Sequence, residues 1–154
     1  MKHTTFKKAF VKAFMLAAIF LMAFVTAKAG VDSYSIYLNK KLLLKQSLDK
    51  PLNLQSLHLD KANANDQIII YYSQCHAPNK IGSGRSIIVK DAEGRKIKEW
   101  KFQDVKGSNT AMVIPVKDLL ALEKKSAATT LVLFYQAQSP EIEQRLTSLL
   151  VKAR

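Results

Sequence analysis

The sequence predicts an all-β domain: an antiparallel β-sandwich of seven to nine short strands with one short helix, preceded by an N-terminal signal peptide. Three observations carry that prediction. Apolar and polar residues alternate with a period of two through much of residues 30–154, the period that turns one face of a strand to a core and the other to water. Turn-forming clusters such as Asn39-Lys40 and Asp91-Ala92-Glu93-Gly94-Arg95 punctuate the alternation. In the middle of the chain only Val116 to Leu122 spaces its leucines as a helix does.

The first 29 residues stand apart from this pattern. Lys2, Lys7, Lys8 and Lys12 precede an unbroken apolar run from Ala13 to Val25, and Ala27 and Ala29 are small residues just before Gly30. A charged, then apolar, then small-residue order is that of a secretory signal, with cleavage expected between Ala29 and Gly30. The competing reading is a membrane anchor, but a spanning helix needs about 20 apolar residues and the run has 13. The expected location is therefore periplasmic or secreted. The expected mature chain, Gly30 to Arg154, is one domain able to bury more than roughly 60% of its unfolded surface. It holds a single cysteine, so its core forms without an internal disulfide.

Along that chain, Tyr34, Ile36 and Leu38 alternate with Ser33, Ser35 and Tyr37, and Asn39-Lys40 turns the chain into a return strand over 41–47. Pro51 marks a boundary, and Leu52, Leu54 and Leu57 to Leu59 predict a further strand. Gln67 to Cys75, "QIIIYYSQC", is the strongest strand signal, and its density of large apolar residues predicts a central strand buried on both faces. Strands over 86–90 and 96–102 flank "DAEGR", with Trp100 and Phe102 turned inward. Strands are also predicted over 111–116 and 129–138. The tail reads two ways: as a helix starting at Ser139-Pro140-Glu141, or as a strand over 145–152 behind a "SPEIEQ" hairpin tip. The strand is favoured, because it closes the sheet.

The passage "MVIPVKDLLALEKKSAATTLVLFYQA" is similar to the strand, helical crossing, strand passage of immunoglobulin-like domains, and an immunoglobulin-like or jelly-roll-like sandwich is the expected architecture. The chain as a whole resembles small exported bacterial β-sandwich proteins of unassigned function. The signal segment, "IIIYYSQCH", "GRSIIVKDAEGRKIKEWKF" and "IPVKDLLAL" carry that likeness. It implies export and a sandwich, and is silent on chemistry.

Loss of Lys2, Lys7, Lys8, Lys12 and Lys28 with the signal, and of no acid, takes the net charge from +12 to +7. A basic surface attracts polyanions through a salt-dependent field. Nucleic acid is a poor match for an exported protein, whereas a protein or an anionic glycan or other cell-envelope polymer is a fitting partner. The competing reading is solubility alone, since the lysines are spread along the chain.

"YYSQCHAPNKIGSGR" holds the candidate site residues. Cys75 beside His76 raises thiol redox or metal-handling chemistry, which needs a thiolate and a base in reach, or three to four ligands. Neighbours on a strand point to opposite faces, and the rest of the chain offers no ligand spacing, so a small buried hydrophobe is the competing reading for Cys75. Gly82, Gly84 and Arg85 form a possible cradle for a phosphate or carboxylate, against a plain hairpin loop. No serine-nucleophile elbow, zinc helix or calcium loop occurs. The sequence implies no cofactor and names no catalytic residue; an enzyme with dispersed carboxylates is the least favoured reading. The aromatic residues Tyr34, Tyr37, Tyr71, Tyr72, Trp100, Phe102, Phe134 and Tyr135 lie on predicted strands, with one or two on an outward face as a sugar- or protein-binding patch.

Overall fold

The computed structural model describes residues 30–52, 56–59, 62–75, 77, 82–104, 110–125, 130–139 and 141–150. The expected signal segment, with Ala27 and Ala29, lies outside them, as do Leu54, His76 and Pro140. The first alternating stretch folds as a hairpin: β1 (Ser33–Leu38) pairs antiparallel with β2 (Lys41–Ser47) around Asn39-Lys40. Asn39 takes a φ of 53° there, a left-handed conformation that asparagine tolerates better than most residues. There follow β3 (Leu57–His58), β4 (Gln67–Ser73), β5 (Ser86–Lys90), β6 (Lys96–Lys101) and β7 (Met112–Pro115). The helix α1 (Val116–Lys125), β8 (Thr130–Gln138) and β9 (Glu141–Leu150) complete the described chain.

The strands form two sheets, one ordered β2-β1-β4-β7 and the other β3-β9-β8-β5-β6. Between them, Tyr34 and Ile36 of β1, Ile68, Ile70 and Tyr72 of β4, and Met112 and Ile114 of β7 meet Ile87 and Val89 of β5. Leu131, Leu133, Tyr135 and Ala137 of β8 complete the centre of the core, all buried. Trp100 and Phe102 pack partly buried against it, in keeping with their inward phase. The expected all-β sandwich with one short helix is the architecture found.

The chain passes from the first sheet to the second through α1. The Val116 amide at its start donates to the Asp66 carbonyl at 2.9 Å, and Asp118 in the first turn complements the positive end of the helix dipole. Val116 and Leu119 are fully buried. The helix runs ten residues, longer than the one or two turns that the leucine spacing marks.

Four details depart from the sequence pattern. The strand β4 is buried on one face, not two: Ile68, Ile70 and Tyr72 are buried while Ile69, Tyr71 and Ser73 are half-buried on the other side. Both phases are largely apolar, so composition hid a true alternation. The tail is a strand that starts at Glu141, paired with Gln138, so the reversal is much tighter than a "SPEIEQ" tip. A bulge in that pairing sets Leu133 opposite Thr147 and Phe134 opposite Arg145. This leaves Leu146 as the extra residue and buries 146–149 consecutively; the broken alternation is what imitated a helix. Finally, the stretch around Leu57 is a two-residue strand that pairs parallel with β9, so the second sheet is mixed and not wholly antiparallel.

Candidate functional site

The chain from Tyr71 to Cys75 ends β4 at one end of the sandwich, where a buried polar and aromatic cluster closes the core. Tyr34 and Tyr72 of the first sheet stack with ring centroids 6.1 Å apart, and Tyr72 stacks in turn on Tyr135 of the second at 3.9 Å. Each hydroxyl has a partner. Tyr34 donates to the Leu146 carbonyl at 2.5 Å, Tyr72 to the Asp32 carboxylate at 3.2 Å, and Tyr135 to Gln74 Oε1 at 3.2 Å. Burial raises all three phenols above their ordinary pKa, Tyr135 to about 12. The other oxygen of Asp32 accepts the Cys75 amide at 2.9 Å.

Cys75 itself is half-buried and packs against Gly30: a Cβ on that glycine would lie 3.0 Å from the Cys75 Cβ. His76 lies outside the described residues. Among the described residues no three His, Cys, Asp or Glu side chains come together in a way that could hold a metal ion.

Gly82, Gly84 and Arg85 are held by the chain's own groups. A Cβ at Gly82 would collide with Gln74 Oε1, and Gly84 has a φ of +60° with the Gln138 side chain against it. The Gly84 amide donates to the Asp104 carboxylate at 2.8 Å, so a carboxylate does rest on this loop, and it belongs to the chain. The Arg85 side chain is 2% exposed; its Nη2 donates to the Gln103 carbonyl at 2.8 Å. Among the described residues its Nε has no hydrogen-bond partner.

A second region comes from the uncovered face of the β2-β1-β4-β7 sheet. Cross-strand register puts Ser35 beside Tyr71 and Tyr37 beside Ile69, with Val113 beyond Ile69 and Leu42 beside Tyr37. Leu42 is 48% exposed and Val113 37%. The rings of Tyr37 and Tyr71 meet edge to face at 5.7 Å, 86° apart. They line a shallow depression of about 550 Å³ with Ser35, Asn39, Lys40 and Ile69. A smaller one of about 160 Å³ shares Ser35 and Tyr71 and extends to Ser33, Lys45 and Ser73. Through these shared residues the two make one groove that carries two tyrosine rings, three serine hydroxyls and two ammonium groups.

The rim at Asn39 is held by side-chain hydrogen bonds. Its side chain donates to Asp66 at 2.8 Å and accepts from the Gln67 amide at 2.9 Å. Asp66 also accepts from the Asn63 amide at 2.7 Å. These bonds, Asn63 first, hold the Asp66 carboxyl below its ordinary pKa.

Comparison with protein-family models, curated proteins and solved structures returns no match.

The structure therefore separates the sequence's candidates. Cys75, Gly82 and Arg85 belong to the closed end of the sandwich, with Gly84 at its edge. Tyr37 and Tyr71, two of the aromatics assigned to strands, form the outward patch. Ser35, Lys40 and Lys45 around them were not singled out by sequence, although one signal existed: Tyr37 shares the phase of Ser33 and Ser35, which is the solvent-facing phase of β1.

Proposed function

We propose that this chain is an exported, non-catalytic β-sandwich that binds an anionic glycan of the cell envelope through the outer face of its four-stranded sheet. One observation carries the reading: Tyr37 and Tyr71 stand out of the sheet within a groove rimmed by Lys40 and Lys45. A half-exposed tyrosine offers a flat apolar ring to the C–H face of a sugar and a hydroxyl to its polar edge. Lysine ammonium groups attract carboxylate or sulfate substituents. Leu42 and Val113 enlarge the apolar strip that a ligand would cover. Export rests on the order of charged, apolar and small residues in the first 29 positions. No helix among the described residues is long and apolar enough to cross a membrane.

A groove open along its length suits a polymer better than a small molecule, which needs enclosure to lose most of its surface to the protein. Most of the groove's polar groups are hydroxyls and ammonium groups, which donate hydrogen bonds readily to acidic sugars.

Affinity electrophoresis in gels containing polygalacturonate, with neutral dextran as control, tests the proposal. The expected result is retardation by polygalacturonate only, weakening as salt rises because the contacts are exposed. Tyr71→Ala should lower the affinity roughly tenfold, about 1.4 kcal/mol. Equal mobility in the two gels, or retardation that Tyr71→Ala and Lys45→Ala leave unchanged, overturns it. A protein partner instead of a glycan would appear as a complex sensitive to the same two substitutions with no retardation in either gel.

A further inference from the structure

The opposite face of the sandwich carries a pocket of about 360 Å³ at the end of β5. We infer that it binds an uncharged sugar unit, independently of the groove on the four-stranded sheet. Its floor is one cross-strand row: Gln136 of β8, Ser86 of β5 and Lys101 of β6 lie directly opposite one another. Gln138 and Glu99 are the next residues on the same face of their strands, and both line the pocket. Phe102, partly buried against the core at the end of β6, also lines the pocket, and Asp104, fixed on the Gly84 amide, closes the far side.

Charge decides the class of ligand. Arg85 and Lys101 are balanced by Glu99 and Asp104, so the pocket has no excess of either sign to draw in an ion. Glu99 is further committed: Lys96 donates to it at 2.8 Å and Ser86 also bonds it, which together hold its carboxyl below the ordinary pKa. Among the described residues the side-chain amides of Gln136 and Gln138 carry no hydrogen bond. Each offers an acceptor oxygen and a donor nitrogen in one plane. Vicinal sugar hydroxyls, which both donate and accept, satisfy such a pair at once, while the C–H face of a pyranose ring meets the part of Phe102 that lines the pocket. A site of this volume lies at the small end of the range of about 300–1,000 Å³ for ligand pockets, enough for one or two rings.

The buried Nε of Arg85 strengthens the inference. A buried N–H without a partner is rare in a folded protein and marks a place where a water or a ligand group belongs. The Arg85 residue lines this pocket.

Amide NMR of the full mature chain, titrated separately with glucose, N-acetylglucosamine and glycine, tests the site. A monosaccharide of this size should bind with a Kd on the order of 1–10 mM. Saturable shifts with at least one sugar, centred on Gly84, Ser86 and Gln136, are the expected result. Gln136→Ala should weaken that binding at least tenfold, and Tyr71→Ala on the other face should leave it unchanged. That last variant separates this site from the proposed glycan groove. No saturable shift at these residues with either sugar, or saturation by glycine alone, which would mark a site for zwitterions, overturns the inference.

Discussion

The ring of Tyr72 lies on the ring of Tyr135, centroids 3.9 Å apart and planes within 8°. Tyr72 belongs to one sheet and Tyr135 to the other, so this contact joins the two layers of the sandwich at the polar end of the core. The hydroxyls diverge, one to Asp32 and one to Gln74. Through Asp32 the stack is tied to the Cys75 amide, and through Gln74 it abuts Gly82.

Removing the Tyr135 ring therefore opens a cavity that neither sheet can fill alone. Tyr135→Ala should destabilise the fold by about 3–5 kcal/mol. Tyr135→Phe keeps the ring but leaves Gln74 Oε1, in a residue only 2% exposed, without its donor, which costs about 1–3 kcal/mol. Urea unfolding followed by Trp100 fluorescence measures both. Equal losses for the two variants would show that the hydrogen bond, and not the ring, matters there.

The same burial governs behaviour in alkali. The folded state favours the protonated phenols of Tyr34, Tyr72 and Tyr135, whose pKa values are raised mainly by desolvation. Their contribution to stability is fully present below the ordinary phenol pKa of about 10 and is lost as pH climbs from there towards about 12, the Tyr135 value. Absorbance at 295 nm should show these three phenols ionising late, together with loss of far-UV structure. Ionisation of Tyr34, Tyr72 and Tyr135 near pH 10, with the fold intact, would contradict the buried stack.

Three glycines should rank by what surrounds them. Gly94→Ala meets only backbone strain, with φ at +81° and open space around the new methyl, about 1–2 kcal/mol. Gly84→Ala adds displacement of Gln138 to a similar strain, and Gly82→Ala drives a methyl into Gln74 and Ala137. Thermal melts should place Gly94→Ala nearest the parent and Gly82→Ala clearly below it, with Gly84→Ala between them because the exposed Gln138 side chain can move aside.

The rim of the groove should resist acid longer than ordinary carboxylate contacts do. Asp66 has a depressed pKa, so its contribution is present above the ordinary carboxylate value of about 3.9 and fades as pH falls through its lower folded value. A carbon-detected titration of its carboxyl should give a midpoint below those of unstructured aspartates. Loss of the Asn39 contact should accompany it. Coincidence with the unstructured value would mean that the Asn63 and Asn39 bonds do not hold in solution.

Cleavage before Gly30 has a plain readout. The protein recovered from the exported fraction should have the mass of Gly30 to Arg154; a retained leader would show an anchor instead. Gly30 sits against Cys75, so the new amino terminus would begin beside the thiol.

Much of the strand layout was legible because alternation of period two is written into β1, and turns such as Asn39-Lys40 and Glu93-Gly94 need particular residues. What misled was apolar residues on both phases, as in β4, and a bulge, as at Leu146. Both conceal the phase on which the reading depends.

Sequence by itself determined the fold class, the boundaries of most strands but not of β3 and β9, and the basic charge, because these follow from local periodicity and composition. Tertiary structure alone decided what Cys75, Gly82 and Arg85 touch, and that Tyr37 and Tyr71 share a groove with Lys40 and Lys45. Residues 30 to 40 positions apart meet only through strand pairing, and that register is set by the whole core, not by any segment of it.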